Sequence, residues 1–186
     1  MRAIRGKRTT LSLGYTLAEM LSVVLILAIS AAAVVPSLTQ SDKSKVELAA
    51  SEVASILRFA REEARRRSAP MVVVLSGIAR VQAFELDVSD PLNPTLGPPL
   101  YHPLNKDAYD RDLHILPFSK GVQASSNLPP GPPGAAQAVG FDARGEPLNA
   151  SDLAGLGDRH VDVSFGSKTR RVFVTAFTAR ISEAWQ

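Results

Sequence analysis

The chain has 186 residues, 45% hydrophobic and 6% aromatic, with 21 Lys and Arg against 18 Asp and Glu and no Cys. That is enough for one ordinary core and too apolar for wholesale disorder, while the absence of Cys excludes disulfide scaffolds, Cys-ligated zinc or iron–sulfur centres and thiol catalysis. The net charge of +3 suggests an anionic partner at first sight, but Arg2, Arg5, Lys7 and Arg8 all lie in the first 14 residues, leaving 17 bases against 18 acids in the remainder. The basicity therefore belongs to the head.

Directly after the head comes YTLAEMLSVVLILAISAAAVVPSL, in which Glu19 is the only charge. From Leu17 to Val35 the run is 19 residues, close to the roughly 20 that a helix needs to cross about 30 Å of hydrocarbon. With the basic cluster in front, the positive-inside rule keeps the N-terminus cytoplasmic and sends the chain beyond Pro36 across the membrane. Three readings compete: a secretory signal cut after Ala33, a plain anchor, and a prepilin-type signal cut before the apolar run. Glu19 separates them. A carboxylate in the run costs about 2.5–3.5 kcal/mol on insertion scales, so it calls for a function and a partner.

Gly14, Tyr15, Thr16, Leu17, Ala18 and Glu19, followed by an apolar helix with Pro36 near its end, resemble the N-terminus of type IV pilins and type II secretion pseudopilins. The resemblance implies cleavage after Gly14 by a membrane peptidase, N-methylation of Tyr15, which stands where the family most often has Phe, and retention of Glu19 for assembly. It also implies that Glu19 neutralises the new α-amino group of a neighbouring subunit within the bilayer, which would favour assembly and fix register.

Beyond Pro36, Val46, Ala49, Ala50, Val53, Ile56, Leu57, Ala60 and Ala64 recur at three- and four-residue steps, one stripe of a helix, with a charged face opposite. Pro36 either kinks one long helix or ends a first one. Taken from Thr16 to Ser68 the helix would be about 80 Å long. Arg58, Arg61, Arg65, Arg66 and Arg67 near its end suit the macrodipole and pair with Glu62 and Glu63; the alternative, contact with DNA or phospholipid headgroups, lacks the aromatic interleaving of a nucleic-acid site.

From Pro70 the period becomes two. Strands are expected at Met71 to Leu75, Arg80 to Val88, Leu113 to Phe118, Ala138 to Asp142, His160 to Phe165 and Arg171 to Phe177, with hairpin turns at Gly77 and at Gly166 to Lys168. Two Pro-rich stretches, Pro91 to Pro103 and Leu128 to Gly134, read as surface connectors. One long helix followed by antiparallel strands again resembles a pilin family, its GspH/FimT-like branch, in which the helix packs on two small sheets. Phe141, Gly145 and the strands from Val161 to Ala176 are similar to that branch's C-terminal pattern.

The expected fold is thus α+β and pilin-like. Its expected parts are a leader at 1–14, a transmembrane or fibre-core helix half at 15–38, an amphipathic helix half at 39–69 and a periplasmic antiparallel β domain at 70–186. His102, His114 and His160 lie in no ligand pattern, and GxSxG, Walker A and GxGxxG motifs do not occur, so neither an enzyme nor a cofactor is expected. Asp107, Asp110 and Asp112 are the one weak candidate for a cation site and lack the Gly and distal Glu of an EF-hand.

The resemblance implies a minor pseudopilin of a type II secretion system. Its expected partners are other pilin-like subunits, the prepilin peptidase and methyltransferase, the inner membrane and the secretion assembly platform. A type IV minor pilin is the alternative and an exported binding domain the third. DNA uptake in the FimT-like branch goes with Gly-Arg-x-Arg; Thr178, Ala179, Arg180 and Ile181 keep one Arg and lose the Gly, so nucleic acid is not an expected partner.

Overall fold

The computed structural model describes residues 17–103, 106–176 and 178–186, with 31–40 described by their backbone alone. The chain divides into two units, Met1–Gln40 and Ser41–Gln186. Helix α1, Leu17–Arg67, contributes to both, and its assignment passes through position 36, so Pro36 does not end it.

Within the second unit the stripe from Val46 to Ala64 is buried, each of its eight predicted residues at 1% exposure or less. The helix stops for identifiable reasons. Ser68 adopts a left-handed φ of 51°, and the Ala69 amide donates to the Ala64 carbonyl at 3.2 Å, the six-to-one bond of a Schellman cap. Pro70 then cannot continue the helix. Near the end, Glu63 is buried at 7% exposure and accepts from Arg66 Nε at 2.8 Å and from Arg67. The Arg66 hydrogen bond, aided by Arg67, holds the Glu63 carboxyl below its usual range against the opposing effect of burial.

Ten strands follow among the described residues: β1 Met71–Ser76, β2 Arg80–Asp87, β3 Thr95–Pro99, β4 Asp110–Asp112, β5 Gln123–Ser126, β6 Gln137–Phe141, β7 Pro147–Leu148, β8 Arg159–Phe165, β9 Lys168–Val174 and β10 Ile181–Trp185. They form two antiparallel sheets, one ordered β3-β2-β1-β6-β7 with β4 also on β2, the other β10-β9-β8-β5. Met71, Val73 and Leu75 of β1 share one core with the helix stripe and with Val161, Val163, Val172 and Val174 of the second sheet. Val72 and Val74, on the other face of β1, join a smaller cluster with Leu86, Ala138 and Leu148. Burial on both faces explains why β1 reads as a continuous apolar run.

Both predicted hairpins form. The second turns at Gly166, φ 57°, with Phe165 opposite Lys168. Gly145 has φ 78° and a Cβ there would lie 2.8 Å from Arg65 Cδ, so that position needs glycine for conformation and for clearance.

Three expectations are corrected. Leu113 to Phe118 is a series of turns rather than a strand. The amides of Ile115 and Leu116 both turn back to the Asp112 carbonyl, the buried Ser119 hydroxyl donates to the Leu113 carbonyl at 2.7 Å, and Pro117 has no amide to give a ladder. The stretch Pro91 to Pro103 is not a mere connector, because it contains β3, whose prolines are tolerated at the sheet edge. The strand predicted to reach Phe177 ends at Val174; Phe177 itself lies outside the described residues.

Two consequences can be measured. Ser68→Gly removes a left-handed side-chain penalty and is expected to raise unfolding stability by about 0.5–1 kcal/mol in urea titration. Because the folded Glu63 pKa is lowered, its contribution is present above the unfolded value of about 4.3 and is lost as pH falls through the folded value. Glu63→Gln should therefore lower stability at pH 7 and flatten the acid limb of the stability profile.

Candidate functional site

The first unit offers an apolar surface. From Leu17 to Ser30 every residue is exposed, including Leu17, Met20, Leu21, Val24, Ile26 and Ile29, which lie on all sides of the helix. Its hydroxyls are hidden locally: Ser22 and Ser30 donate to the carbonyls of Ala18 and Ile26, each at 2.8 Å. Glu19 sits in the first turns of α1, exposed among these apolar side chains. Among the described residues no helix is long and apolar enough to cross a membrane. The predicted run to Val35 extends into residues whose side chains are not described, as does Pro36, and Gly14 and Tyr15 lie outside the described residues.

In the second unit the three aspartates are not gathered around an empty centre. Asp110 on β4 is gripped by Arg80, whose Nε donates at 2.8 Å, and by Gln82 Nε2 at 3.1 Å. The Arg80 bond holds its carboxyl below the usual range. Asp112 caps the following turn, accepting from the His114 amide at 3.0 Å, and the Asp107 carbonyl accepts from the His102 amide at 2.8 Å. No group of three or more metal-binding side chains occurs among the described residues.

The histidines have separate local surroundings. The His102 ring lies tilted at 56° to that of Tyr109 with centroids 5.2 Å apart, His114 Nδ1 lies 3.0 Å from the Val122 carbonyl, and His160 Nε2 is 3.8 Å from Asp162. Three of the five helix-end arginines pair as expected from their spacing, Arg65 with Glu62 and Arg66 and Arg67 with Glu63, whereas Arg61 is in no salt bridge among the described residues and its Nε is buried without a hydrogen-bond partner. Arg67 also reaches Glu85 at 3.7 Å, and Arg58 reaches Glu183 at 3.4 Å.

One cluster escapes sequence reasoning. Arg170 on β9 donates through Nε to Glu183 and through Nη1 to Glu47, both at 3.1 Å, tying β9 and β10 to the helix. Its guanidinium lies 5.2 Å from the Trp185 ring, and Lys43 Nζ lies 5.3 Å from the same ring. Lys45 Nζ sits 4.5 Å from Phe165. The available signal was the chain's one Trp, but nothing local predicts that residues 43, 170 and 185 meet.

The sequence profile of the family described as Type II transport protein GspH matches residues 49–176. Among solved structures, the minor pseudopilin EpsH from the Type 2 Secretion System of Vibrio cholerae is 12% identical, with a TM-score of 0.51 over 76% of this chain and 97% of that one. The type IV minor pilin FimU of Pseudomonas aeruginosa PAO1 is 14% identical, with a TM-score of 0.49 over 77% of this chain and 91% of that one. No curated protein matches the chain in sequence. The likeness to EpsH is one of fold, a helix on two antiparallel sheets. The profile match, by contrast, runs over most of the sequence from the buried helix stripe through β9, and on it the chain belongs to the GspH family of type II transport proteins.

Proposed function

We propose that the chain is a minor pseudopilin of a type II protein secretion system, a structural subunit of a periplasmic pseudopilus that has no enzymatic role. The carrying observation is the GspH match over residues 49–176, preceded in the same chain by Gly14, Tyr15 and Glu19 at prepilin spacing. In this reading residues 1–14 are a leader removed after Gly14, Tyr15 becomes the methylated N-terminus, 15–38 forms the membrane and fibre-core half of the helix, 39–69 the amphipathic half, and 70–186 the periplasmic domain. The protein enters the inner membrane once, with its N-terminus cytoplasmic. Its partners are other pseudopilin subunits, the prepilin peptidase and methyltransferase and the assembly platform. The fibre works mechanically, growing by subunits drawn from the bilayer and pushing exported proteins outward.

Glu19 supplies the assembly chemistry. A carboxylate in hydrocarbon costs about 2.5–3.5 kcal/mol, and a neighbour's α-amino cation offsets much of that cost only when the subunits are in register. Pro36 lies at the far end of the apolar half, where its lack of an amide N–H removes one helical hydrogen bond. The type IV minor pilin reading remains the alternative, and the type II description of the matched family favours the first.

Mass analysis of the N-terminal peptide from membrane-extracted protein is expected to return a methylated Tyr15; a chain starting at Val34 overturns the reading in favour of an exported domain. Glu19→Ala is expected to leave the protein processed and in the membrane while cutting crosslinking to partner subunits about tenfold or more, in line with an unpaired charge cost of more than 1.4 kcal/mol. Undiminished crosslinking would remove the pairing role from Glu19.

A further inference from the structure

Two guanidinium groups of the second unit are partly buried with nothing to balance them. Arg61 on α1 and Arg159 at the start of β8 are half-buried, the Nε of each is buried without a hydrogen-bond partner, and neither is in a salt bridge among the described residues. Withdrawing a cation from water without a counter-charge is unfavourable, and orphaned buried donors are rare in folded proteins.

Packing brings both residues to one end of the domain. Arg159 is opposite Val174 and Val174 is opposite Ile181, so the Arg159 side chain shares the inner face of the second sheet with these two buried residues. The Ile181 carbonyl accepts from Arg58, and Arg61 stands one helical step of three residues beyond Arg58, about 4.5 Å further along the axis toward Arg67. On the side of the first sheet Arg61 is covered by the turn that follows β6, where a Cβ on Gly145 would lie 3.2 Å from Arg61 Cγ.

A cleft of about 440 Å³ opens at this seam, lined by Glu146, Pro147, Gly155, Leu156, Gly157 and Ala176. One wall continues the Gly145 turn that rests on Arg61. The other holds Gly157, two residues before Arg159, and Ala176, two residues after its partner Val174. The Leu156 amide donates to the Pro147 carbonyl at 3.2 Å and joins the walls. Pro147 and Leu156 are buried, whereas a Cβ on Gly155 or Gly157 would meet nothing within 4 Å. The acids of the region are turned elsewhere: Asp142 Oδ1 accepts from the Arg144 and Glu146 amides, and Asp158 Oδ1 accepts from the Ala176 amide. Glu146 and Arg144, both exposed in the same turn, are in no salt bridge among the described residues.

We propose that this seam between the two sheets binds a carboxylate that carries an apolar group, either a free aliphatic carboxylate or an acidic side chain in a peptide, with Arg61 and Arg159 as the charged anchors. The guanidinium is a planar fork matched to an oxyanion, and with Nε closed off the Nη groups are the ends left to donate. Because part of the solvation is already lost in the folded chain, an anion gains more from these two groups than from an arginine in open water. Pro147, Leu156 and Ala176 supply the apolar contact that separates such a ligand from inorganic phosphate.

Nitrogen-15 spectra of the full chain in phospholipid nanodiscs follow the arginine Nε–H groups directly. The probes are hexanoate, the peptide N-acetyl-Leu-Glu-Leu amide and inorganic phosphate. Hexanoate or the peptide is expected to shift the Arg61 and Arg159 signals together and saturably, with phosphate about tenfold weaker or more. Arg61→Lys and Arg159→Lys keep the charge and lose the fork, and each is expected to weaken binding about tenfold. Arg180→Lys, at an exposed arginine ahead of β10, is expected to leave binding unchanged. Glu146→Gln removes a repelling charge from the cleft wall and is expected to tighten binding about twofold.

A response to the peptide alone identifies the ligand as an acidic segment of a protein partner; a response to hexanoate as well shows that a free aliphatic carboxylate suffices. Signals of Arg61 and Arg159 that no probe moves overturn the proposal. So does a response of one arginine without the other, which would separate them into two places. Phosphate binding as tightly as hexanoate and the peptide, or binding unchanged in both lysine variants, reduces the effect to general charge attraction and overturns it as well.

Discussion

The alanine-rich face of α1 from Val46 to Ala64 is the surface on which both sheets are built. Ala49, Ala50, Ala60 and Ala64 are wholly buried, and their short side chains let β-branched residues from two directions, Val73 on β1 and Val163 and Val172 on β8 and β9, reach into one core. Neither sheet is large, and the second has four strands, so the shared helix supplies an apolar face that neither would otherwise bury. One register of side chains in the stripe thereby sets which strands touch the helix near Arg67 and which touch it near Lys43.

The helix and the two hairpins were legible because their signals are local. A 3.6-residue period survives over the whole stripe, β1 is a run of β-branched residues, and Gly166 sits where a tight turn requires it. What escaped has no local signal. β5 is Gln-Ala-Ser-Ser, poor in strand formers, and exists because β8 offers it a free edge. β10 has just Ile181 and Trp185 as large apolar residues and is held by β9 and by the Arg170–Glu183 pair. β7 is two residues long. The error at Leu113 to Phe118 has the opposite cause: an apolar stretch looked like a strand, but the Asp112 carbonyl and the buried Ser119 captured its backbone and side-chain bonds for turns.

The candidate residues divide along the same line. Gly14, Tyr15 and Glu19, proposed for processing and assembly, are read from a linear spacing alone and owe nothing to the folded domain. The cluster of Lys43, Arg170 and Trp185 is assembled from the middle of the helix, one strand and the end of another. Residues so distant in sequence meet only through the packing of the core, which no single stretch encodes.

The reversal of the chain at Ser68 to Pro70 has a mechanical consequence for a subunit that is pulled. β1 runs back along the helix from the point where the helix ends, and β2 runs with it, so the helix and its covering sheet lie lengthwise. A load applied along α1 from its Ser41 end therefore acts on the packed stripe in shear. Val46, Val53, Ile56 and Leu57 would have to slip past the sheet together, with the ion pairs Glu47–Arg170 and Glu52–Arg111 stretched in parallel rather than opened one after another. In the proposed function, in which a subunit is drawn from a bilayer and pushed along a fibre axis, that is the direction in which resistance is needed.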